Sequence, residues 1–415
     1  MILEKYSMGI GDRFGQQGSA QLRSLIKAKK AGVDITPVWN KSFREHEIVG
    51  TAPEAVRTEA DAAVKALGWT AAYFVDADHI GMKTVEAFVD ASDFFTLDVA
   101  DVTGRAADPD SIRKFVEACT PYTGSLKFSG VDASFPVDHD FLQYVAEKYL
   151  LAIQEAGRIY RYILSAKGND RFITEVSMDE TDAPQSPAEL FFILAAIARE
   201  GIPVQTIAPK FIGRFNKGVD YVGNVSEFET SFVQHLAAIE TATQEFELPG
   251  NLKLSVHTGS DKFSIYPLMG RALQRMDAGI HLKTAGTTWL EELIGLAEAG
   301  GEGLSMAKSV YRIAFGQLDE LQAPYTAVID IDPAALPEPD DAERWDGKTF
   351  AETLRHEPLC RSYNLHFRQL LHIGFKVAAN MGDGFLDVLK ANENIIARHV
   401  CENLFERHIK RLFMV

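Results

Sequence analysis

The sequence predicts an α/β protein: a (β/α)8 barrel of TIM type over residues 1–300, with a mostly helical C-terminal extension over 301–415 packed on it. Three observations lead there. Short apolar runs alternate with helical stretches eight times before residue 300. Each run reads as a strand covered on both faces, as parallel strands beneath helices are. The runs also end alike, apolar first and then ionisable, as in Ala72-Tyr73-Phe74-Val75-Asp76-Ala77-Asp78-His79-Ile80. A doubly wound open sheet competes with the barrel. It ordinarily carries a glycine-rich phosphate turn after its first strand, and Gly9-Ile10-Gly11 lacks the third glycine and the helix start.

Taken in order, the first strand is expected at 8–14, ending in Asp12 and Arg13, with a helix over 19–30. The second, 33–38, leads into Trp39-Asn40-Lys41, and an alanine-rich helix follows over 53–67 with Thr51 as its cap. The third strand is the run 71–75, its polar end carrying Asp76, Asp78 and His79; a short helix at 84–91 follows. The fourth, 94–101, is again acid-tipped, and Asp108-Pro109 opens the next helix. Residues 120–136 show no period and are expected to be a long loop or insertion, before a long amphipathic helix over 140–165. Strands five to eight are expected within 171–180, 204–208, 252–262 and 280–286, with helices at 186–200, 226–245, 268–276 and 287–299.

A formal net charge of −16 argues against nucleic acid or an anionic membrane as partner, while leaving room for local cations around a small anion. The cysteines, Cys119, Cys360 and Cys401, are far apart and lack CxxC spacing, so they read as reduced packing residues of a cytoplasmic protein. No basic segment followed by an apolar one opens the chain, and no apolar run reaches transmembrane length.

In a barrel of this kind the chemistry belongs at the C-terminal ends of the strands. His79, His257 and His281 fall at such ends on strands three, seven and eight. Converging imidazoles would hold a divalent cation, with Zn, Mn, Fe, Co and Ni all suited and positions left open for substrate. One histidine in such a place is ordinarily a hydrogen-bonded core residue; three at equivalent ends favour a metal. The remaining histidines read as structural or surface residues. Asp76 and Asp78 share a strand face, so one of them can serve as a base. Asp98 or Glu175 is a candidate further ligand and Glu180 a candidate acid/base partner, while Asp101 and Asp179 read as helix caps. Arg13, Lys41, Lys210, Lys262 and Lys283 at strand ends of an acidic chain suggest a site for an anionic substrate, a carboxylate or a phosphate. Lys210 and Lys283 are also candidates for a Schiff base.

Five stretches, Ser7-Met8-Gly9-Ile10-Gly11-Asp12-Arg13-Phe14-Gly15, Val38-Trp39-Asn40-Lys41-Ser42, Val75-Asp76-Ala77-Asp78-His79, Ser255-Val256-His257-Thr258-Gly259-Ser260-Asp261-Lys262 and His281-Leu282-Lys283-Thr284-Ala285-Gly286, together resemble the tagaturonate epimerase family, from the first strand to the C-terminus. The resemblance implies a divalent-metal enzyme that interconverts D-tagaturonate and D-fructuronate in hexuronate catabolism. Simple enolisation does not reach the inverted carbon, which lies one bond beyond the carbon next to the ketone. A metal-stabilised retro-aldol step does, with Asp78 taking the hydroxyl proton and Glu180 returning one. Transient oxidation by a dinucleotide is disfavoured by the missing fingerprint. Two other functions remain in play: a metal or Schiff-base aldolase on a related keto acid, and a sugar-acid-binding protein without turnover. The partner in each case is a small keto sugar acid, in a chain that can also form a homo-oligomer.

Overall fold

The computed structural model describes residues 1–284 and 286–415. Ten strands are present among them: β1 (Tyr6–Ile10), β2 (Thr36–Ser42), β3 (Phe74–Ile80), β4 (Phe94–Asp98), β5 (Gly124–Lys127), β6 (Ser134–Val137), β7 (Ile173–Ser177), β8 (Thr206–Ala208), β9 (Lys253–His257) and β10 (Ile280–Lys283). Eight of them close a parallel barrel in the order β1-β10-β9-β8-β7-β4-β3-β2. β5 and β6 form a separate antiparallel hairpin, so the stretch 120–136 is a hairpin insertion and not a structureless loop. It escaped notice because its strands are short and largely exposed, without a buried face to impose a period on the sequence.

Helices α1 (Gly18–Lys30), α2 (Phe43–Val49), α3 (Pro53–Leu67), α4 (Pro109–Cys119), α5 (His139–Lys167), α6 (Pro187–Arg199), α7 (Val225–Glu245), α8 (Tyr266–Arg275) and α9 (Thr287–Ala299) ring the barrel. Ser186 caps α6 in a capping box with Glu189, and Ser42 does the same for α2 with Glu45. The expected helix at 84–91 is reduced to one 3₁₀ turn, Val85–Phe88.

The barrel interior changes character along its axis. Leu3, Val38, Phe74, Phe94 and Ile173 form an apolar plug apart from the main core. Two residues further along the same strands, on the same inward faces, come Asn40, Asp76, Thr96 and Glu175, all buried. The next inward step brings Ser42, Asp78, Asp98 and Ser177. The strands therefore run from a dry floor to an ionisable mouth within two layers. β3 is longer than its apolar run suggested, because Asp76 and Asp78 are strand residues paired with Asn40 and Ser42 of β2. Its pairing with β4 is interrupted between Ala77 and Ile80, and His79 in that interruption has φ 51°, the left-handed region.

Residues 301–415 are helical apart from connecting segments, and their apolar side chains belong to the same continuous core as those of the ring helices. One polar seam also locks this extension to the barrel. Asp261, in the loop after β9, is fully buried. Its carboxylate receives Arg368 Nη2 at 2.7 Å, Thr287 Oγ1 at 3.0 Å and His356 Nδ1 at 3.2 Å, with His408 Nε2 at 3.4 Å. Arg368 donates its other nitrogens to the carbonyls of Gly218 and Leu354. All three cysteines are free, and no helix among the described residues is long and apolar enough to cross a membrane.

Candidate active site

At the C-terminal mouth of the barrel a cavity of about 620 Å³ opens between the strand ends and the extension. Its floor is built around Lys283. The Nζ atom of this residue lies 2.8 Å from Asp76 Oδ2, 2.9 Å from Asp78 Oδ1 and 3.0 Å from Glu175 Oε1, and also donates to Thr96 Oγ1. The side chain crosses the barrel because its neighbour on β1 is Gly9; a Cβ there would stand 2.9 Å from Lys283 Cγ.

Burial works against the Lys283 ammonium, but Asp76, Asp78 and Glu175 outweigh it and hold its pKa well above the usual lysine value. Burial raises Asp76 to about 6 against the pull of Lys283. For Asp78 and Glu175 burial again opposes ionisation, yet Lys283 leads the groups that bring both below the ordinary carboxylate range; His257 contributes to each. The environment thus separates two carboxylates on one strand face, raising Asp76 and lowering Asp78.

Beside this floor stand His79, His257 and Asp179, each offering a ligand atom within 4.8 Å of the others. The two imidazoles meet edge to face at 5.1 Å. His79 Nδ1 is 3.1 Å from Asp98 Oδ2, which leaves Nε2 for the site. His257 Nε2 is 2.8 Å from Glu175 Oε1. Its Nδ1 is buried, 3.1 Å from Asp179 Oδ2, and out of alignment for a hydrogen bond. Burial disfavours the charged form of both histidines; Asp179 raises His257 to about 9 and Asp78 raises His79 well above its usual value. A second carboxylate on the far nitrogen of each imidazole is the arrangement that orients histidine ligands toward a cation. Two imidazoles and a carboxylate, with one buried nitrogen left without a hydrogen bond, fit a divalent transition-metal ion.

The structure sorts the residues singled out in the sequence. His79, His257, Asp78 and Lys283 come together, and Glu180 and Lys210 line the same cavity. His281 does not join the metal-type cluster. It lies two residues earlier on β10, one layer deeper, with Nδ1 2.9 Å from Ser7 Oγ and its ring against Phe94. Burial lowers its pKa to about 3. Asp179 takes the third place. It caps no helix; it receives Ser177 Oγ at 2.5 Å and faces His257. Asp98 and Glu175 brace the histidines instead of joining the trio.

Lys41 and Lys262 do not reach the cavity. Lys41 Nζ donates to Arg13 O at 2.7 Å and Thr51 Oγ1 at 3.0 Å. Lys262 Nζ donates to the carbonyls of Val219 at 2.8 Å and Asn216 at 3.0 Å. Arg13 lines the cavity but has Glu45 Oε1 at 3.2 Å and lies over the Phe375 ring. Sequence reasoning missed Arg44, Lys217, Tyr325 and His372, all in the cavity wall. Among the described residues both ring nitrogens of His372 are buried without a partner, and burial, then Arg13 and Lys217, holds it neutral. For Lys217 the sequence sign was a run of basic residues, Lys210, Arg214 and Lys217, in an acidic chain; Arg44 lies outside that run.

A parallel (β/α)8 barrel with carboxylates, a lysine and a histidine–carboxylate trio gathered at its C-terminal mouth has the build of a barrel enzyme. The family model for tagaturonate epimerase matches residues 1–412. The chain therefore belongs to the tagaturonate epimerase family, a family of isomerases. It is 28% identical over 424 residues to the tagaturonate/fructuronate epimerase of Thermotoga maritima, a match covering 98% of this chain and 80% of the relative. The fold is similar to that of the fructuronate-tagaturonate epimerase of Cohnella laeviribosi. A glycerol complex of that protein superposes with TM-score 0.81 at 24% identity, covering 99% of this chain and 82% of the other. Its native crystal structure gives TM-score 0.78 at 25% identity, covering 99% and 82%.

Proposed function

We propose that the chain interconverts D-tagaturonate and D-fructuronate, with a divalent metal ion held by His79, His257 and Asp179. The observation that carries the metal is the trio itself: three ligand atoms within 4.8 Å, each imidazole braced by a further carboxylate. Such an ion supplies Lewis-acid polarisation of the substrate's oxygens. The rest of the reaction belongs to the side chains around it.

The substrate presents a ketone, a hydroxyl on the carbon to be inverted and a carboxylate at the far end. Asp78, ionised and fixed by Lys283, accepts the hydroxyl proton. The bond between that carbon and the carbon next to the ketone then breaks, giving an enediolate and an aldehyde. Turning the aldehyde and re-forming the bond on its other face inverts the centre. The new alkoxide takes a proton from Glu180, which lines the same cavity. The Lys283 ammonium, kept charged by three carboxylates, offers positive charge beside the developing anion. The same charge makes it a poor Schiff-base nucleophile, since attack needs the neutral amine.

The test is turnover of D-tagaturonate by purified protein before and after chelation, with single metals added back. Fructuronate formation that stops with chelator and returns with one ion is the expected result. Activity indifferent to chelator would move the reaction to a lysine-based aldol cleavage, which borohydride trapping at Lys210 or Lys283 would reveal.

A further inference from the structure

We propose that Arg44 and Lys217, packed on the ring of Tyr325, form the subsite for the substrate's carboxylate and set the preference for keto sugar acids over neutral ketoses. The inference rests on the epimerase reading for the identity of the ligand, but not for the geometry. Both cations line the cavity together with Tyr325. Arg44 Cζ and Lys217 Nζ each lie 5.4 Å from the centre of that ring, and Lys376 Nζ approaches it at 4.9 Å.

What sets this pair apart is the state of the other cations in the same wall. Lys283 is surrounded by three carboxylates. Arg13 has Glu45 at 3.2 Å and Arg214 has Asp330 at 3.5 Å. Lys210 donates to the Thr181 carbonyl. Among the described residues, neither Arg44 nor Lys217 has a carboxylate within 4.0 Å or a side-chain hydrogen bond. Two like charges sharing one aromatic ring repel each other; burial, then Arg13 and Arg44, lowers the proton affinity of Lys217 once Glu180 is set against them. An anion between them relieves that repulsion, which a neutral hydroxymethyl group cannot do.

The pair is also held in place before any ligand arrives. Lys217 N donates to Val328 O at 2.8 Å, and Gly218 N to Ser260 Oγ at 2.9 Å. Lys262 grips the carbonyls of Asn216 and Val219 on either side. Arg44 sits in the first turn of α2, which is fixed by the Ser42–Glu45 capping box. The backbone that carries both side chains is thus fixed before binding, and the ordering that remains is that of the side chains themselves. Lys262, one of the strand-end lysines, thus acts on the substrate through the loop that presents Lys217.

The experiment measures binding by calorimetry and steady-state kinetics on the metal-loaded protein, with D-tagaturonate and with the ketohexose carrying CH2OH in place of its carboxylate. The variants are Arg44→Gln, Lys217→Met, Lys217→Arg and the double Arg44→Gln/Lys217→Met. Each charge-removing single change is expected to weaken tagaturonate binding and raise its KM about 10- to 100-fold, the scale of one lost charge-assisted hydrogen bond. The expected kcat stays within roughly threefold, Lys217→Arg retains most affinity, and constants for the neutral ketose do not move. Equal losses for both ligands, or unchanged tagaturonate affinity in the double variant, would overturn the subsite. If the wild-type protein binds tagaturonate without turning it over, the epimerase reading fails, and the calorimetry alone still decides the subsite.

Discussion

The barrel mouth and the seam beneath the extension each bury aspartate beside a strong cation and histidines, and they differ in what is left unpaired. Around Asp261 the carboxylate is met from several sides: Arg368 serves it and two carbonyls, Thr287 and His356 add their bonds, and only His408 Nε2, at 3.4 Å, stands near it without a hydrogen bond among the described residues. Asp261 does not line the cavity at the mouth. At the mouth the same ingredients are arranged around a void of about 620 Å³, and among the described residues His257 Nδ1, both nitrogens of His372 and Asn40 Oδ1 lack hydrogen-bond partners. A saturated buried network fixes a conformation; an unsaturated one facing a cavity is completed by a ligand. The difference lies in leftover valence, not in the residue types.

The sharpest way to break this contrast is a near-isosteric change in each place. Asp179→Asn removes a ligand charge from a half-buried, cavity-facing residue. We expect kcat/KM to fall by about 10³–10⁴-fold, with the free energy of urea unfolding changed by less than about 1 kcal/mol. Asp261→Asn should do the opposite. It leaves the Arg368 guanidinium, fully buried, without its counter-charge, and should lower the unfolding free energy by about 3–5 kcal/mol. Its folded fraction should keep kcat within roughly tenfold, because Asp261 does not line the cavity. If Asp179→Asn unfolds the protein, or Asp261→Asn abolishes kcat without loss of stability, the division of roles is wrong.

A smaller effect separates the two regions by pH. Burial lowers His408 at the seam to about 4. In the unfolded chain the same imidazole takes its proton near the usual value, about 6.5. The unfolded state then binds the extra proton, so stability falls as pH drops from about 6.5 to about 4 and the loss levels off below that. The Asp261 carboxylate works on a lower window. Burial opposes its ionisation, but Arg368 holds it well below the ordinary carboxylate value, so its contribution is lost only as pH falls through that depressed value. Urea midpoints between pH 7.5 and 4.5 should therefore decline, and His408→Gln should flatten the slope by about 1.4 kcal/mol per pH unit near pH 5. An unchanged slope in that variant would assign the titration to another histidine.

Much of the barrel was legible because parallel strands beneath helices read as unbroken apolar runs, and because those runs end where the interior turns ionisable. Asp78, His79, His257 and Lys283 could be named for the same reason. His281 could not be separated from them, since its depth follows from two residues of register on β10. Asp179 looked like a helix cap because it sits in a polar loop, and only the path of that loop brings it to His257. Lys41 and Lys262 carry the right charge at strand ends but turn to neighbouring carbonyls. Tyr325 and His372 lie in the extension, so their place in the wall depends on docking that no local pattern encodes.

That docking gives the extension a role beyond cover. Tyr325, His372 and Phe375 supply one wall of the cavity, while the metal-type trio and Lys283 come from barrel strand ends and loops. The cavity wall is therefore shared between two stretches of the chain, with Arg44 and Lys217 on the barrel side and Tyr325 on the extension. Variation at Pro324, Tyr325, Ala327, Val328, Ile373 and Phe375 would change the shape of that wall without touching a proposed proton-transferring group or the buried Arg368. Trimming the chain to its barrel would remove that wall and expose apolar core.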